Sequence, residues 1–254
     1  MTSELEERHA KLVMIARRAA HAAALVHRQG RSARLDIHTK TNASDIATQV
    51  DRSAERAAGH VIQAARPRDS LLGEEGVASA QGQSSIRWII DPLDGTTNYT
   101  LGLPHYCSSV AAFDQELGCV VAGAIESESL GVSYWAGLDG GAWRQRNAED
   151  APVRLEPHPR SLPRILLTGL SYDPDIRARQ LVELTSLARD FDDVRSLGSA
   201  ALALCLVADR TAEAYVESDL YEYDWAAGAL IASEAGAIVD AGPAPRGGVS
   251  ARWK

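Results

Sequence analysis

The residues best suited to chemistry sit together in Asp91-Pro92-Leu93-Asp94-Gly95-Thr96-Thr97-Asn98-Tyr99. Two carboxylates stand three residues apart across a proline, and glycine and two hydroxyls follow at once. The run before them, Ile86 to Ile90 with Trp88, is apolar and β-branched, the pattern of a buried strand. Pro92 has no N–H to give to a ladder, so the strand is expected to end near Asp91 and release both carboxylates at its carboxyl end. Clustered carboxylate oxygens suit a hard divalent cation. Small residues with free backbone N–H groups suit a phosphate.

Other acids stand where they could join this pair. Glu74 follows the apolar Leu71-Leu72 in Gly73-Glu74-Glu75-Gly76, and Asp224 precedes the helical run Trp225 to Ala232. Glu74, Asp91 and Asp94, with the Leu93 carbonyl, would make an oxygen-only set that suits Mg²⁺ over zinc. Unpaired carboxylates packed together repel one another, so a cation explains such a cluster better than structure does. The residues alone leave other roles open. Asp224 is also placed as a helix N-cap, Asp45 and Asp51 as solvated acids at a helix start, and Glu217 as a solvated glutamate at a strand end.

The Asp91–Tyr99 stretch resembles the signature of the inositol monophosphatase family, and further pieces fall in that family's order. They are Thr41-Asn-Ala-Ser-Asp-Ile-Ala-Thr-Gln-Val-Asp51, Gly73-Glu-Glu-Gly76, Leu197-Gly-Ser-Ala-Ala201 and Tyr223-Asp-Trp-Ala-Ala-Gly-Ala229. The resemblance implies an α/β (α+β) fold of alternating α-β-α-β-α layers with the site between the halves. It implies two or three Mg²⁺ per site, held by Glu74, Asp91, the Leu93 carbonyl, Asp94 and Asp224. It gives the nucleophile as a metal-activated water, with Asp51 and Thr96 as a hydrogen-bonded pair that orients it and accepts its proton; Glu74 joins them as a catalytic residue. Substrate contacts would come from Asp94, Gly95, Thr96, Gly198, Ala200, Glu217 and Asp224, with Glu217 reading a ring hydroxyl. Lys40 would support the acidic cluster.

The implied activity is a lithium-sensitive phosphomonoesterase acting on a small polyol phosphate, inositol 1-phosphate first. Histidinol phosphate, fructose 1,6-bisphosphate and 3′-phosphoadenosine 5′-phosphate are the alternatives, and a non-catalytic regulatory protein is a different class. The resemblance also implies a homodimer. Two departures stand out. Tyr223 occupies a position where the family usually has tryptophan, and after Asp240 only a remnant strand around Val249-Ser250-Ala251 is expected, the tail from Ala241 being loose and the final helix missing.

The elements that must position these residues follow from periodicity. Residues 4 to 29 read as a helix closed by Gly30, with His21 and His27 on its surface, and residues 47 to 65 as a second helix stopped by Pro67. Strand-like runs follow at 86–91, 108–113, 119–125 and 132–135, with Gly118 and Gly140-Gly141 as turns, a largely antiparallel meander. The second half alternates: strand 164–168, helix 174–189, helix 199–208, strand 212–216, helix 225–235 and strand 237–239. The whole reads as a single domain, 1–254, with a pseudo-boundary near 150–160.

Composition narrows the classes. The net charge is −8 over 254 residues, and the basic residues are scattered, so no stripe awaits nucleic acid. The polar start has no signal-peptide core and no run approaches the ~20 apolar residues that span a bilayer, so no membrane partner is expected. Cys107, Cys119 and Cys205 show no metal-ligand spacing. A reducing cytoplasm fits these features, and the family resemblance implies a small phosphate ester as partner.

Overall fold

The computed structural model describes residues 2–30, 37–39, 46–76, 80–157, 163–242 and 246–253. The order is α1 (Thr2–Gly30), β1 (Ile37–Thr39), β2 (Ile46–Thr48), α2 (Gln49–Ala65), β3 (Ser70–Gly73), β4 (Ile86–Asp94), α3 (Thr96–Leu101), β5 (Cys107–Asp114), β6 (Cys119–Ser127), β7 (Val132–Gly137), β8 (Gly141–Arg146) and β9 (Val153–Leu155). It continues with β10 (Ile165–Thr168), α4 (Pro174–Leu187), β11 (Asp193–Arg195), α5 (Ala200–Ala208), β12 (Ala214–Tyr221), α6 (Glu222–Glu234), β13 (Ile238–Ala241) and β14 (Arg246–Arg252). Lys40 and Asp45 lie outside the described residues.

Strands β3 to β9 form a seven-stranded sheet in sequence order, antiparallel except for the parallel pair β3 and β4. A five-stranded sheet, β11-β10-β12-β14-β13, follows in the second half. Side-chain alternation along β4 decides what each face meets. Trp88 and Ile90 join α1 and α2 in one core, through Leu12, Ala16, Ala19, Ala20, Ala54, Ala58 and Ile62. Ile89 faces the other way, into a core with α5, α6 and the five-stranded sheet. Alanine dominates both buried helix faces, which lets α1 and α6 lie close to the sheet. Helix α4 packs outside the second sheet, where Gln180, its one buried residue, donates to the Ser218 carbonyl. The layers therefore alternate α-β-α-β-α.

Several expectations need correction. The strand at Ile86 does not end at Asp91: it runs to Asp94 through a bulge, Asp91 pairing Ser109 and Asp94 pairing Cys107. The bulge absorbs Pro92, which would otherwise cost the ladder a donor. The described part of the tail, residues 241–242 and 246–253, is not loose. Its β14 pairs on both sides, with β12 and β13, and Trp253 beyond it is buried, its indole N–H donating to the Val207 carbonyl at 2.8 Å. His27 is not on the helix surface but fully buried. Among the described residues no helix is long and apolar enough to cross a membrane.

Candidate active site

The bulge in β4 puts Asp91 and Asp94 together at the end of a strand paired on both sides. Each carboxylate is pinned through one oxygen. Asp91 Oδ1 accepts the Leu93 N–H at 3.1 Å. Asp94 Oδ2 accepts the Ser199 hydroxyl at 2.6 Å and the Ala201 N–H at 2.8 Å, both from the start of α5, while Cys107 Sγ lies 3.9 Å away. Helix α6 supplies the third acid. It begins at Glu222, three residues before the expected start at Trp225, so Asp224 is not the N-cap but sits in the first turn. There Asp224 Oδ2 accepts the Tyr221 N–H at 2.6 Å.

Asp91, Asp94 and Asp224 each offer an oxygen, and the three lie within 4.8 Å of one another. Burial holds the Asp91 carboxyl well above the usual carboxylate range, and repulsion from Glu74, Asp94, Asp224 and Asp51 adds to it. Asp224 is raised for the same reasons. Asp94 is raised by burial to about 6, its Ser199, Ala201 and Ala200 donors holding it back. Two buried carboxylates and a half-buried third, packed this closely, are costly to keep ionised, and a hard divalent cation is a group that relieves the cost. The donor set, oxygen only and acidic, fits Mg²⁺ and leaves no soft ligand for zinc.

The other sequence candidates fall around this group. Glu74 lies outside the tight trio but close enough to repel Asp91, Asp224 and the Tyr223 phenol. Asp51, buried in the first turn of α2, lies 3.4 Å from the Thr96 hydroxyl. Thr96 has one proton, and the Leu93 carbonyl at 3.0 Å takes it better. Leu93 keeps a second lone pair. Gly95, at φ 92, turns the chain into α3, a conformation that a side chain would strain. Gly198, at φ 77, abuts Asn98, whose amide donates to the His105 and Leu197 carbonyls at 2.7 Å each and so ties α3 to the second half. Ala200 opens α5 with its N–H toward Asp94.

Glu217 is not at a strand end, since β12 continues to Tyr221. Tyr215 Oη donates to its Oε2 at 2.6 Å, and burial pushes its carboxyl up to about 7. Its carboxylate also fills the space where a side chain at Gly169 would stand.

Sequence reading missed three supports. Glu55, fully buried in α2, accepts the Glu75 N–H at 2.6 Å and holds the turn that carries Glu74; a Cβ at Gly73 would collide with it. Arg87 and Glu222 form a two-pronged pair at 2.8 Å per prong between β4 and α6. His27 is the third, taken up below. None of the three is signalled by the sequence, because each polar side chain is buried only by a partner far away in the chain.

A family model described as the inositol monophosphatase family matches residues 9–246. An inositol-1-monophosphatase of Mycobacterium leprae is 38% identical over 207 residues, 80% of this chain and 70% of that protein. A Pasteurella multocida protein named Nus factor SuhB is 34% identical over 230 residues, 90% of this chain and 84% of its own. Among solved structures, the extragenic suppressor protein suhB of Bartonella henselae aligns with a TM-score of 0.79 at 29% identity, covering 95% of this chain and 92% of that one.

Proposed function

The chain belongs to the inositol monophosphatase family, and from that premise we propose that it is a Mg²⁺-dependent phosphomonoesterase of small polyol phosphates, inositol 1-phosphate foremost. The observation that carries this reading is the convergence of Asp91, Asp94 and Asp224 within 4.8 Å, the first two buried and the third half-buried. Those three, with Glu74 and the Leu93 carbonyl, would hold two or three cations. Bound there, Mg²⁺ supplies Lewis-acid charge against the phosphoryl oxygens and the leaving alkoxide.

The chain's own groups do the rest. Asp51, Thr96 and Glu74 are assigned the water, which they orient and relieve of its proton. The backbone at Gly95 and Thr96 faces the phosphate, where no side chain intervenes. Gly198, Ala200 and Glu217 read the alcohol. With its pKa about 7, Glu217 can accept a hydrogen bond from a ring hydroxyl or donate one to it.

Phosphate release is to be measured over a panel of inositol 1-phosphate, histidinol phosphate, fructose 1,6-bisphosphate and 3′-phosphoadenosine 5′-phosphate, with and without Mg²⁺. Inositol 1-phosphate should turn over fastest. Asp91→Asn should cut turnover on the order of 10³-fold, the several kcal/mol that a Lewis-acid cation contributes. Wild-type rates in that variant would sink the assignment. The likeness to the Pasteurella multocida Nus factor SuhB, over most of this chain, favours one other reading, a role as a Nus factor without turnover. An inert panel in a folded, Mg²⁺-binding protein would put that reading first.

A further inference from the structure

The Asp91–Asp94 bulge is gripped from behind by a histidine that none of the roles above uses. His27, in the last turn of α1, points its Nε2 at the Pro92 carbonyl, 2.8 Å away and buried. That carbonyl belongs to the peptide unit whose N–H is on Leu93, and the Leu93 N–H donates to Asp91 Oδ1 at 3.1 Å. A trans peptide carries its C=O and N–H on opposite sides. The unit is therefore clamped between an imidazole and a carboxylate, in one continuous line: His27 N–H to Pro92 carbonyl, Leu93 N–H to Asp91. Hydrogen bonds in such a chain polarise one another, so the imidazole N–H strengthens the donation that fixes Asp91.

From this relay we infer that His27 is a positioning residue for Asp91, turning the Pro92–Leu93 peptide so that Asp91 keeps one oxygen tied and presents the other to a cation. The inference rests on the metal-binding reading of Asp91 made above.

The surroundings of the ring fix which nitrogen carries the proton. A carbonyl can only accept, so Nε2 is the protonated nitrogen. Burial pulls the imidazole down to about 4, so the ring is neutral at physiological pH. Nδ1 is buried with no hydrogen-bond partner among the described residues. The ring is held edge-on by Tyr106, with centroids 5.7 Å apart, and Tyr99 lies 6.1 Å away and donates its hydroxyl to the His27 carbonyl at 2.9 Å. As packing alone, a phenyl ring would serve without leaving a nitrogen unsatisfied. What the imidazole adds is its single N–H.

The test separates the donor from the ring. In His27→Gln the amide nitrogen reaches about where Nε2 stands and still donates; His27→Phe keeps a ring and donates nothing. Mg²⁺ affinity is read by calorimetry on metal-stripped protein, independent of turnover, and melting temperature is read alongside. His27→Phe should weaken Mg²⁺ binding about 10-fold, at the low end of what groups that orient metal ligands are worth, while His27→Gln stays within about 3-fold of wild type. Wild-type affinity in His27→Phe, or equal weakening in both variants, would overturn the role. Should His27→Phe not fold, nitrogen-15 spectra of the wild-type imidazole near neutral pH decide it: a protonated Nε2 is expected, and a protonated Nδ1 overturns the relay. A wild-type protein that takes up no Mg²⁺ refutes the metal reading itself, and this role with it.

Discussion

Stripped of divalent metal, the protein should lose stability as pH rises from mild acid to neutrality, against the usual behaviour of carboxylate-bearing proteins. Burial raises Asp94 from its ordinary 3.8 to about 6, and it raises Asp91 and Asp224 further with help from their mutual repulsion. A group whose pKa is raised by folding holds its proton more tightly in the folded state. Its stabilising contribution is fully present below the unfolded value and is lost as pH climbs through the folded one. For Asp94 that window runs from 3.8 to about 6. About two pH units at 1.36 kcal/mol each give roughly 3 kcal/mol. At about 2–4 °C per kcal/mol for a chain of this size, the melting temperature should fall by roughly 6–12 °C. Asp91 and Asp224 push in the same direction and carry the loss to higher pH. A cation binds the ionised carboxylates, so its stabilisation should grow with pH. The assay is a set of melting curves near pH 4, 5, 6 and 7 in EDTA and in saturating Mg²⁺. A metal-free melting temperature that is level or rising over this range would refute the reasoning, as would an equal gain from Mg²⁺ at both ends.

Two further predictions concern groups around the cluster. Arg87→Met should destabilise the protein by about 2–3 kcal/mol, below the 3–5 typical of a broken buried pair because the Arg87 side chain is 26% exposed. Arg87→Met with Glu222→Leu should recover part of that loss in a denaturant-based double-mutant cycle, and strictly additive effects would deny the coupling. Glu217→Gln should raise KM about 10-fold for a polyol phosphate with kcat nearly unchanged, the worth of one hydrogen bond to a charged group. It should also flatten any change of KM near pH 7, and an unchanged KM would remove Glu217 from the substrate.

What was legible in the sequence was what is local. The Asp91–Tyr99 stretch announced its acids and the strand that leads into them, because apolar patterning, proline and glycine act within a few residues. The helices read from alanine and leucine spacing, and the meander read from Gly118 and Gly140-Gly141, since these signals need no distant partner. Where the reading failed, a longer-range contact had overridden a local rule. Pro92 should stop a strand, yet β5 carries the pairing on past a bulge. The residues after Ala241 look like a loose tail by composition, yet β12 and β13 offer β14 two free edges at once.

The same distinction explains which parts of the site stayed hidden. A carboxylate ligand advertises itself by type, but the group that aims it does not. Glu55 and Glu75 are 20 residues apart, His27 and Pro92 65, Arg87 and Glu222 135. Each looks like an ordinary surface residue until the fold buries it. Burial is what converts it, because a polar group taken out of water must find a partner, and the partners found here are the backbone and side chains that carry the acids. The acidic trio thus has both a cost and a frame. Repulsion among Asp91, Asp94 and Asp224 would spread them. The Ser199 and Ala201 donors, the Tyr221 N–H and the Leu93 N–H each tie down one oxygen and hold the trio together. Such a frame leaves the second oxygen of each carboxylate as the part a cation can use, and the cost of leaving those oxygens without one is what the melting curves in EDTA would measure.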